Sequence, residues 1–409
     1  MLYFTNQELA EANHVSVRTV RNWIDAAREG KLDLTLHSKG QRYYIANTSK
    51  NTLIIKDLVS KNKKYRPHRA QKTVMPQSKF YDLYTQEQLY DIASNLEINR
   101  EIPRQYNYFG EGADNWDKYA QHLVDETSPN YLKSTIELYQ INKAYVDDIL
   151  EVYDQVNVID IGVGNALPTR GLLEHLIEKG KMGRYIALDV SPQMLSIARK
   201  NIEDWFGDTI TFEGFNTDIT HDRFGYLLAD EYIKTDSEKT TNLLLFTGGT
   251  IANFKKQGSV LEVIHDSMGI HDYLIHTQKL DTESSRRQFN FDPKSGNPGL
   301  APIHRYIFDL LNIDESFYEM DMGYDPTVKE RYIRVRLKIA LSIKFRFEGG
   351  ERIVDFNKGD GILLWRAHQN SLFEVVRLFT NADFYPLQIS QTNQDGYVMT
   401  ISRIKREEV

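Results

Sequence analysis

The sequence predicts an α/β chain: a doubly wound, largely parallel sheet in its later part, a mainly helical stretch before that sheet, and a small helical domain with a hairpin in front. Three observations predict it. Residues 156–162 read VNVIDIG, a compact apolar run ending in an acid and a glycine, followed by the turn GVGNALPTR and the helix-like GLLEHLIEKGK. A buried strand, a glycine-bearing turn and a helix are the first unit of a doubly wound sheet. RYIALDVS and TITFEGFNTDI then read as strands ending in Asp189 and Asp218, with a helix signal, PQMLSIARKNI, opening at Ser191. Finally, FEVVRLFTNADFYPLQISQTNQDGYVMTISRI reads helix, strand, turn at Asp395-Gly396, strand.

Three stretches separate along the chain: a front domain over 1–60, a linker over 61–80 and the α/β part over 81–409. The linker is basic, holds two prolines and lacks apolar periodicity. In the front domain Thr5 or Asn6 caps a short helix, with Glu8 three residues after Thr5 as a capping box requires. Ser16 caps a second helix, in which Val17, Val20, Ile24 and Ala27 form one apolar stripe. Arg18, Arg21 and Asn22 lie early on its other face, and LDLTLHSKGQRYYIA reads as two strands around Lys39-Gly40. The string WIDAAREGKL…GQRYYI resembles the winged helix-turn-helix of MerR-type and excisionase-type proteins. That resemblance implies contacts to duplex DNA by Arg18, Arg21, Asn22, Lys39 and Arg42. The alternative is a module for protein contact or a homodimer.

Composition narrows the chemistry. The chain has 409 residues and no cysteine, which excludes disulfides, thiolate zinc sites and cysteine nucleophiles. A net charge of −7 argues against a protein that coats nucleic acid along its whole length. No apolar run is long enough to span a membrane, and the N-terminus turns polar within six residues, so a cytoplasmic location without membrane attachment is expected. The histidines show no metal spacing, and no metal is expected.

The glycine pattern alone is shared with nicotinamide-dependent dehydrogenases, but DIGVGNA is not G-x-G-x-x-G. The order of elements, with acids at the tips of the second and third strands, resembles the class I Rossmann-like methyltransferases. The terminal hairpin resembles the one that closes their sheet with an antiparallel strand. This implies S-adenosylmethionine as cofactor, around Asp160, Gly162, Gly164, Asp189 and Asp218, with Asp189 accepting hydrogen bonds from the ribose hydroxyls and Asp218 facing the adenine.

Further motifs narrow the resemblance. NLLLFTGGTIANF ends in Gly248-Gly249-Thr250-Ile251-Ala252-Asn253; YFGEGADNWD spans 108–117 and SPNYLKSTIE spans 128–137. From about Tyr106 to Ile404 the chain resembles the histidine-specific methyltransferases, which make trimethylhistidine in the ergothioneine pathway. The resemblance implies a helical substrate-binding part before the sheet. It places Tyr108, Gly248 and Thr250 with the cofactor, and Asn253 and Tyr131 as the groups presenting the acceptor. A family tyrosine that helps hold the amino acid becomes Phe291. The glutamate and serine that bind the imidazole become Trp365 and Ala367, in GDGILLWRAHQN. An indole and a methyl cannot hydrogen-bond an imidazole as a carboxylate and a hydroxyl do. An unpaired buried N–H costs about 1–3 kcal/mol, so the expected acceptor is a small amine other than free histidine. Trp365 could also favour an alkylammonium product by cation–π contact. A different class of function stays open: a transcriptional regulator whose methyltransferase-like domain senses S-adenosylmethionine or a metabolite. A nucleic-acid methyltransferase is disfavoured, because the strand NLLLF runs into TGGTIANF and not into a D/N-P-P-Y/F motif.

Overall fold

The structure, a computed structural model, describes residues 3–13, 15, 17–40, 42–61, 72–127, 130–228, 239–283, 286, 299–392 and 396–405. They form two compact units, Met1–Gln71 and Lys72–Val409.

The first unit runs α1 (Asn6–Ala12), α2 (Val17–Arg28), β1 (Leu36–Lys39), β2 (Arg42–Ile45) and α3 (Ser49–Lys61). Helix α1 begins in a capping box: Thr5 N donates to Glu8 Oε2 at 2.8 Å, and Glu8 N to Thr5 Oγ1 at 3.2 Å. Ser16, expected to cap α2, lies outside the described residues. Val20 and Ile24 of α2 are buried, joined by Trp23, and Val17 and Ala27 pack beside them. The antiparallel hairpin turns at Gly40, with Lys39 opposite Arg42. Helix α3 carries no strong sequence signal. Its anchor is the fully buried Asn51, whose amide donates to Thr35 O and Ala46 O, both at 2.8 Å, and accepts from Thr35 N at 2.9 Å. Three satisfied bonds make a buried amide tolerable there.

The second unit opens with β3 (Lys72–Val74), α4 (Ser78–Leu83) and α5 (Gln86–Ile98). The expected linker over 61–80 is therefore corrected in its later part: β3 pairs in a sheet, and Phe80 of α4 is fully buried. One turn of 3-10 helix (Arg104–Tyr108) leads to α6 (Glu111–Asp125) and α7 (Tyr131–Leu150). Next come β4 (Gln155–Ile161), α8 (Arg170–Glu178), β5 (Met182–Asp189), α9 (Pro192–Phe206), β6 (Phe212–Asn216) and β7 (Thr240–Phe246). A second 3-10 turn (Thr250–Asn253) precedes α10 (Gln257–Ser267) and β8 (Tyr273–Lys279). Then follow α11 (Pro302–Leu310), β9 (Tyr318–Asp325), β10 (Glu330–Leu337), β11 (Leu341–Phe347), β12 (Gly350–Phe356) and β13 (Gly361–His368). Helix α12 (Leu372–Asn381) and the hairpin β14 (Phe384–Gln391) and β15 (Tyr397–Ile404) complete the unit.

The main sheet has seven strands in the order β14-β15-β8-β7-β4-β5-β6. Strands β4 to β8 run parallel, and β15 lies antiparallel to both β8 and β14. This is a mixed, Rossmann-like sheet. Its central strands are buried on both faces, which is why they read as unbroken apolar runs. Strand order reverses beside β4, so the ends of β4 and β7 open a crevice at the switch point.

Helices α4 to α7 form the mainly helical stretch expected before the sheet, while β9–β13 with β3 build two three-stranded sheets, β13-β10-β9 and β12-β11-β3, that sequence reasoning did not anticipate. One hydrophobic cluster joins these strands to α4, α5 and α11. No helix among the described residues is long and apolar enough to cross a membrane.

Candidate functional site

The end of β4 builds the first part of the site. Gly162 (φ +68°) and Gly164 (φ +56°) are both left-handed, a conformation that favours glycine. A Cβ at Gly162 would project toward Thr250, 3.5 Å away, into the space above the strand end. Gly164 N donates to Asp189 Oδ2 at 3.2 Å, and Ser191 N to Asp189 Oδ1 at 2.9 Å. Burial pushes the Asp189 carboxyl up to about 6, against the pull of these backbone donors. Ser191 caps α9 by accepting from Met194 N at 3.2 Å and donates to Tyr108 O at 2.5 Å. The turn that carries Tyr108 is thus tied to the acid-bearing strand.

A cavity of about 350 Å³ lies over these strand ends, lined by Gly162, Asp189, Asp218 and Thr250 on one side and Tyr108 on the other. Asp218 Oδ1 accepts from Thr220 N at 3.0 Å and Thr220 Oγ1 at 2.6 Å, which fixes its rotamer.

Three residues expected at the cofactor, Asp160, Gly164 and Gly248, do not line this cavity. Asp160 does not line the cavity. It is still within β4, so its side chain stands normal to the sheet, where it accepts from Thr169 Oγ1 at 2.7 Å and Tyr185 OH at 3.0 Å. Burial pushes this carboxyl up to about 7, with the two hydroxyls opposing the shift. Gly164 also stays out of the lining, since its N–H is turned to Asp189.

A second cavity, of about 440 Å³, adjoins the first and contains Tyr131, Gly248, Trp365 and Ala367. Gly248, expected beside the cofactor, lines this cavity instead. Its N–H donates to Thr277 Oγ1 at 3.1 Å, and a Cβ there would meet the Tyr131 ring at 3.8 Å. Gly248 and Gly249 are consecutive left-handed residues, so the tight turn after β7 demands glycine twice. Asn253, Trp365, Tyr108 and Arg104 line both cavities and so mark their junction. Phe291 lies outside the described residues.

Sequence reasoning missed Arg104, Trp116, Lys279 and Arg331. The Arg104 guanidinium lies 5.6 Å from the Tyr108 ring centre and 5.8 Å from both Trp116 and Trp365. Its Nε donates to Tyr108 OH. Trp116 in turn stacks on Tyr131, with ring centres 6.1 Å apart and planes within 7°. The indole expected to face a cationic product therefore already faces a cation of the protein. The only local hint was a basic residue one helical turn before Tyr108.

The site suits S-adenosylmethionine on its own geometry. A carboxylate held by two backbone N–H groups faces the first cavity at a strand tip, where a ribose diol can donate to its remaining lone pairs. The glycine at Gly162 leaves room for close backbone approach.

Residues 88–403 match the family model described as histidine-specific methyltransferase, S-adenosylmethionine-dependent. Solved structures match the chain at low similarity. A methyltransferase from Clostridium acetobutylicum is 10% identical, covers 71% of this chain and 99% of its own, and has a TM-score of 0.37. Human N-acetylserotonin methyltransferase is 13% identical, with 99% and 88% covered and a TM-score of 0.38. The 1,6-didemethyltoxoflavin-N1-methyltransferase of Burkholderia thailandensis is 11% identical, with 72% and 85% covered and a TM-score of 0.35. No curated protein sequence matches the chain. With the match spanning most of the chain, and with glycine turn, acid-tipped strands and seven-stranded sheet in place, the chain belongs to the histidine-specific family of S-adenosylmethionine-dependent methyltransferases.

Proposed function

We propose that the chain N-methylates a small amine other than free histidine, with the cofactor in the first cavity and the acceptor in the second. The observation that carries this reading is the junction: Asn253 lines both cavities, so one amide can hold an acceptor nitrogen at the boundary. Gly162, Asp189, Asp218, Thr250 and Tyr108 would hold the cofactor, and Tyr131, Gly248, Trp365 and Ala367 would shape the acceptor pocket. When bound, S-adenosylmethionine supplies an electrophilic methyl on a sulfonium. The protein's task is then to position a neutral nitrogen, which can be worth on the order of 7–11 kcal/mol. Arg104 assists by its charge. A cation at the junction disfavours the protonated form of a nearby amine and so favours the nucleophilic one.

Trp365 and Ala367, both in the acceptor pocket, argue against histidine for the hydrogen-bonding reason given above. Asn253→Ala should lower the methylation rate by roughly 10- to 100-fold while leaving the cofactor dissociation constant within about twofold, because the amide acts on the acceptor. Formation of S-adenosylhomocysteine against an amine panel, with calorimetry of cofactor binding, measures both. Efficient trimethylhistidine formation by the wild type would overturn the reading, and cofactor binding without turnover on any amine would favour the sensor alternative.

For the first unit the reading is duplex DNA binding by a winged helix-turn-helix. Arg18, Arg21 and Asn22 are exposed on α2, and Lys39 and Arg42 are exposed at the hairpin tip. Affinity for genomic fragments should fall steeply with salt as phosphate contacts release counterions. Arg18→Ala should weaken every fragment. A mobility-shift series without a salt-sensitive, Arg18-dependent band would exclude the reading.

A further inference from the structure

Two groups beside the junction of the cavities carry open donors. The first is Arg104. Its Nε donates to Tyr108 OH, and the rings of Tyr108, Trp116 and Trp365 flank its guanidinium. Among the described residues it has no ion-pair partner, and its terminal nitrogens donate to nothing. The bond from Nε uses one edge of the guanidinium, so the fork of Nη1 and Nη2 is left for an oxyanion.

The second is the Trp116 indole. Helix α6 is pinned to the glycine turn by Asn165 Nδ2, which donates to Asp117 Oδ1 at 2.8 Å. Trp116 Nε1 then stands 3.6 Å from where a Cβ of Gly164 would lie, over the turn after β4. Its N–H is neither buried nor hydrogen-bonded among the described residues.

The turn itself has little left to offer an anion. Gly162 N and Val163 N both donate to Leu188 O, at 2.8 and 3.1 Å, and Gly164 N donates to Asp189. Other cations are taken or misplaced. Arg366 lines the first cavity but is tied to Glu101 at 2.5 Å. Lys255 lines the first cavity and not the second. Lys279 and Arg331 line the second and not the first, and each is engaged within the protein. S-adenosylmethionine carries its carboxylate on a short carbon chain from the sulfonium. The methyl must face the acceptor, so the sulfonium belongs at the junction and the carboxylate belongs near it. A carboxylate leaving water needs a charged partner or several donors.

We propose that Arg104 and Trp116 seat the methionine carboxylate of the cofactor, the guanidinium through its terminal fork and the indole through its N–H, with Tyr108 aligning the guanidinium. The inference rests on the cofactor occupying the first cavity with its sulfonium at the junction. The seated carboxylate reduces the field of Arg104 at the acceptor nitrogen without removing it, and fixes that charge in place.

The test is calorimetry on the full chain with S-adenosylhomocysteine and its decarboxylated analogue, which keeps the amine and lacks the acid. The wild type should bind the first about 10- to 100-fold more tightly, as hydrogen bonds to a charged group require. That ratio should fall to near one in Arg104→Gln and by several-fold in Trp116→Phe, which keeps a ring and removes the donor. The affinity of the analogue should not fall in either variant, which reports an intact site, and the second variant keeps the test valid should the first not fold. Equal affinity for the two probes in the wild type, or a ratio unchanged in Arg104→Gln, would overturn the proposal. So would an Arg104-dependent preference of the chain loaded with S-adenosylhomocysteine for phenylglycine over benzylamine, with the cofactor ratio unchanged, since the guanidinium would then hold an acid of the acceptor. Probes of equal affinity that are both weakened by Asp189→Ala would sink this inference and keep the cofactor site. An Arg104-dependent ratio with affinities that ignore Asp189→Ala would do the reverse.

Discussion

Asp189→Ala is expected to weaken S-adenosylmethionine binding by about 10- to 150-fold, the equivalent of roughly 1.5–3 kcal/mol for hydrogen bonds to a charged group. The carboxylate is preorganised: Gly164 N and Ser191 N hold one oxygen each, at 3.2 and 2.9 Å, so little ordering remains when a diol docks. The same substitution frees the Gly164 N–H, so the glycine turn should loosen as well. Wild-type affinity should also depend on pH in a definite sense. Burial raises the carboxyl to about 6 in the unliganded protein, so it is ionised above that value and protonated below it. Affinity should be level above about pH 7 and fall as pH drops through 6, since a protonated acid accepts fewer hydrogen bonds. In Asp189→Ala that acid limb should vanish. Calorimetry from pH 5 to 8 on both proteins measures this. Equal affinities, or a limb that survives in the variant, would remove Asp189 from the site.

Gly112→Ala should abolish cofactor binding and methyl transfer together and lower Tm by roughly 5 °C or more. On helix propensity alone the change should help by about 1 kcal/mol, because Gly112 lies in α6. Sterics decide otherwise. A Cβ there would stand 2.1 Å from the backbone oxygen of Asn107 and 3.1 Å from the Tyr306 ring. The oxygen belongs to the 3-10 turn that carries Arg104 and Tyr108, so relief of the clash must move groups lining both cavities. Overpacking of this kind costs about 1–3 kcal/mol and more where backbone must shift. Gly171→Ala is the control, since it is also helical and has nothing within 4 Å of the new methyl. Similar melting and activity for the two variants would contradict the steric account.

Much of this architecture was legible for identifiable reasons. VNVIDI and NLLLF announce strands because both faces of the central sheet are covered. That Asp189 and Asp218 would come to line one crevice was legible because strand ends in a doubly wound sheet converge at the switch point. Asp160 misled because it stands one residue inside the strand end, which turns its side chain into the protein. The hairpin of β11 and β12 went unread, and nothing local says that Lys72–Val74 joins its edge in parallel. Arg331 was unreadable for the same reason. In ERYIRVRL it is one arginine among three, and only its pairing with Ala367 singles it out.

The placement of β15 sets an order of events for a chain emerging from the ribosome. Strand β15 is synthesised after the other six strands of its sheet, yet it lies inside the sheet, bonded to β8 on one side and β14 on the other. Until it arrives, β8 presents an open edge of buried apolar and polar groups, a template for pairing with other chains. The pairing of β3 with β11 likewise joins the two ends of a loop more than 250 residues long. Such distant closures are slow, because loop entropy is lost before the contacts repay it. The catalytic unit therefore completes itself late, after nearly all of its sequence is available, whereas the first unit, with its short-range contacts, is free to fold as soon as it is made.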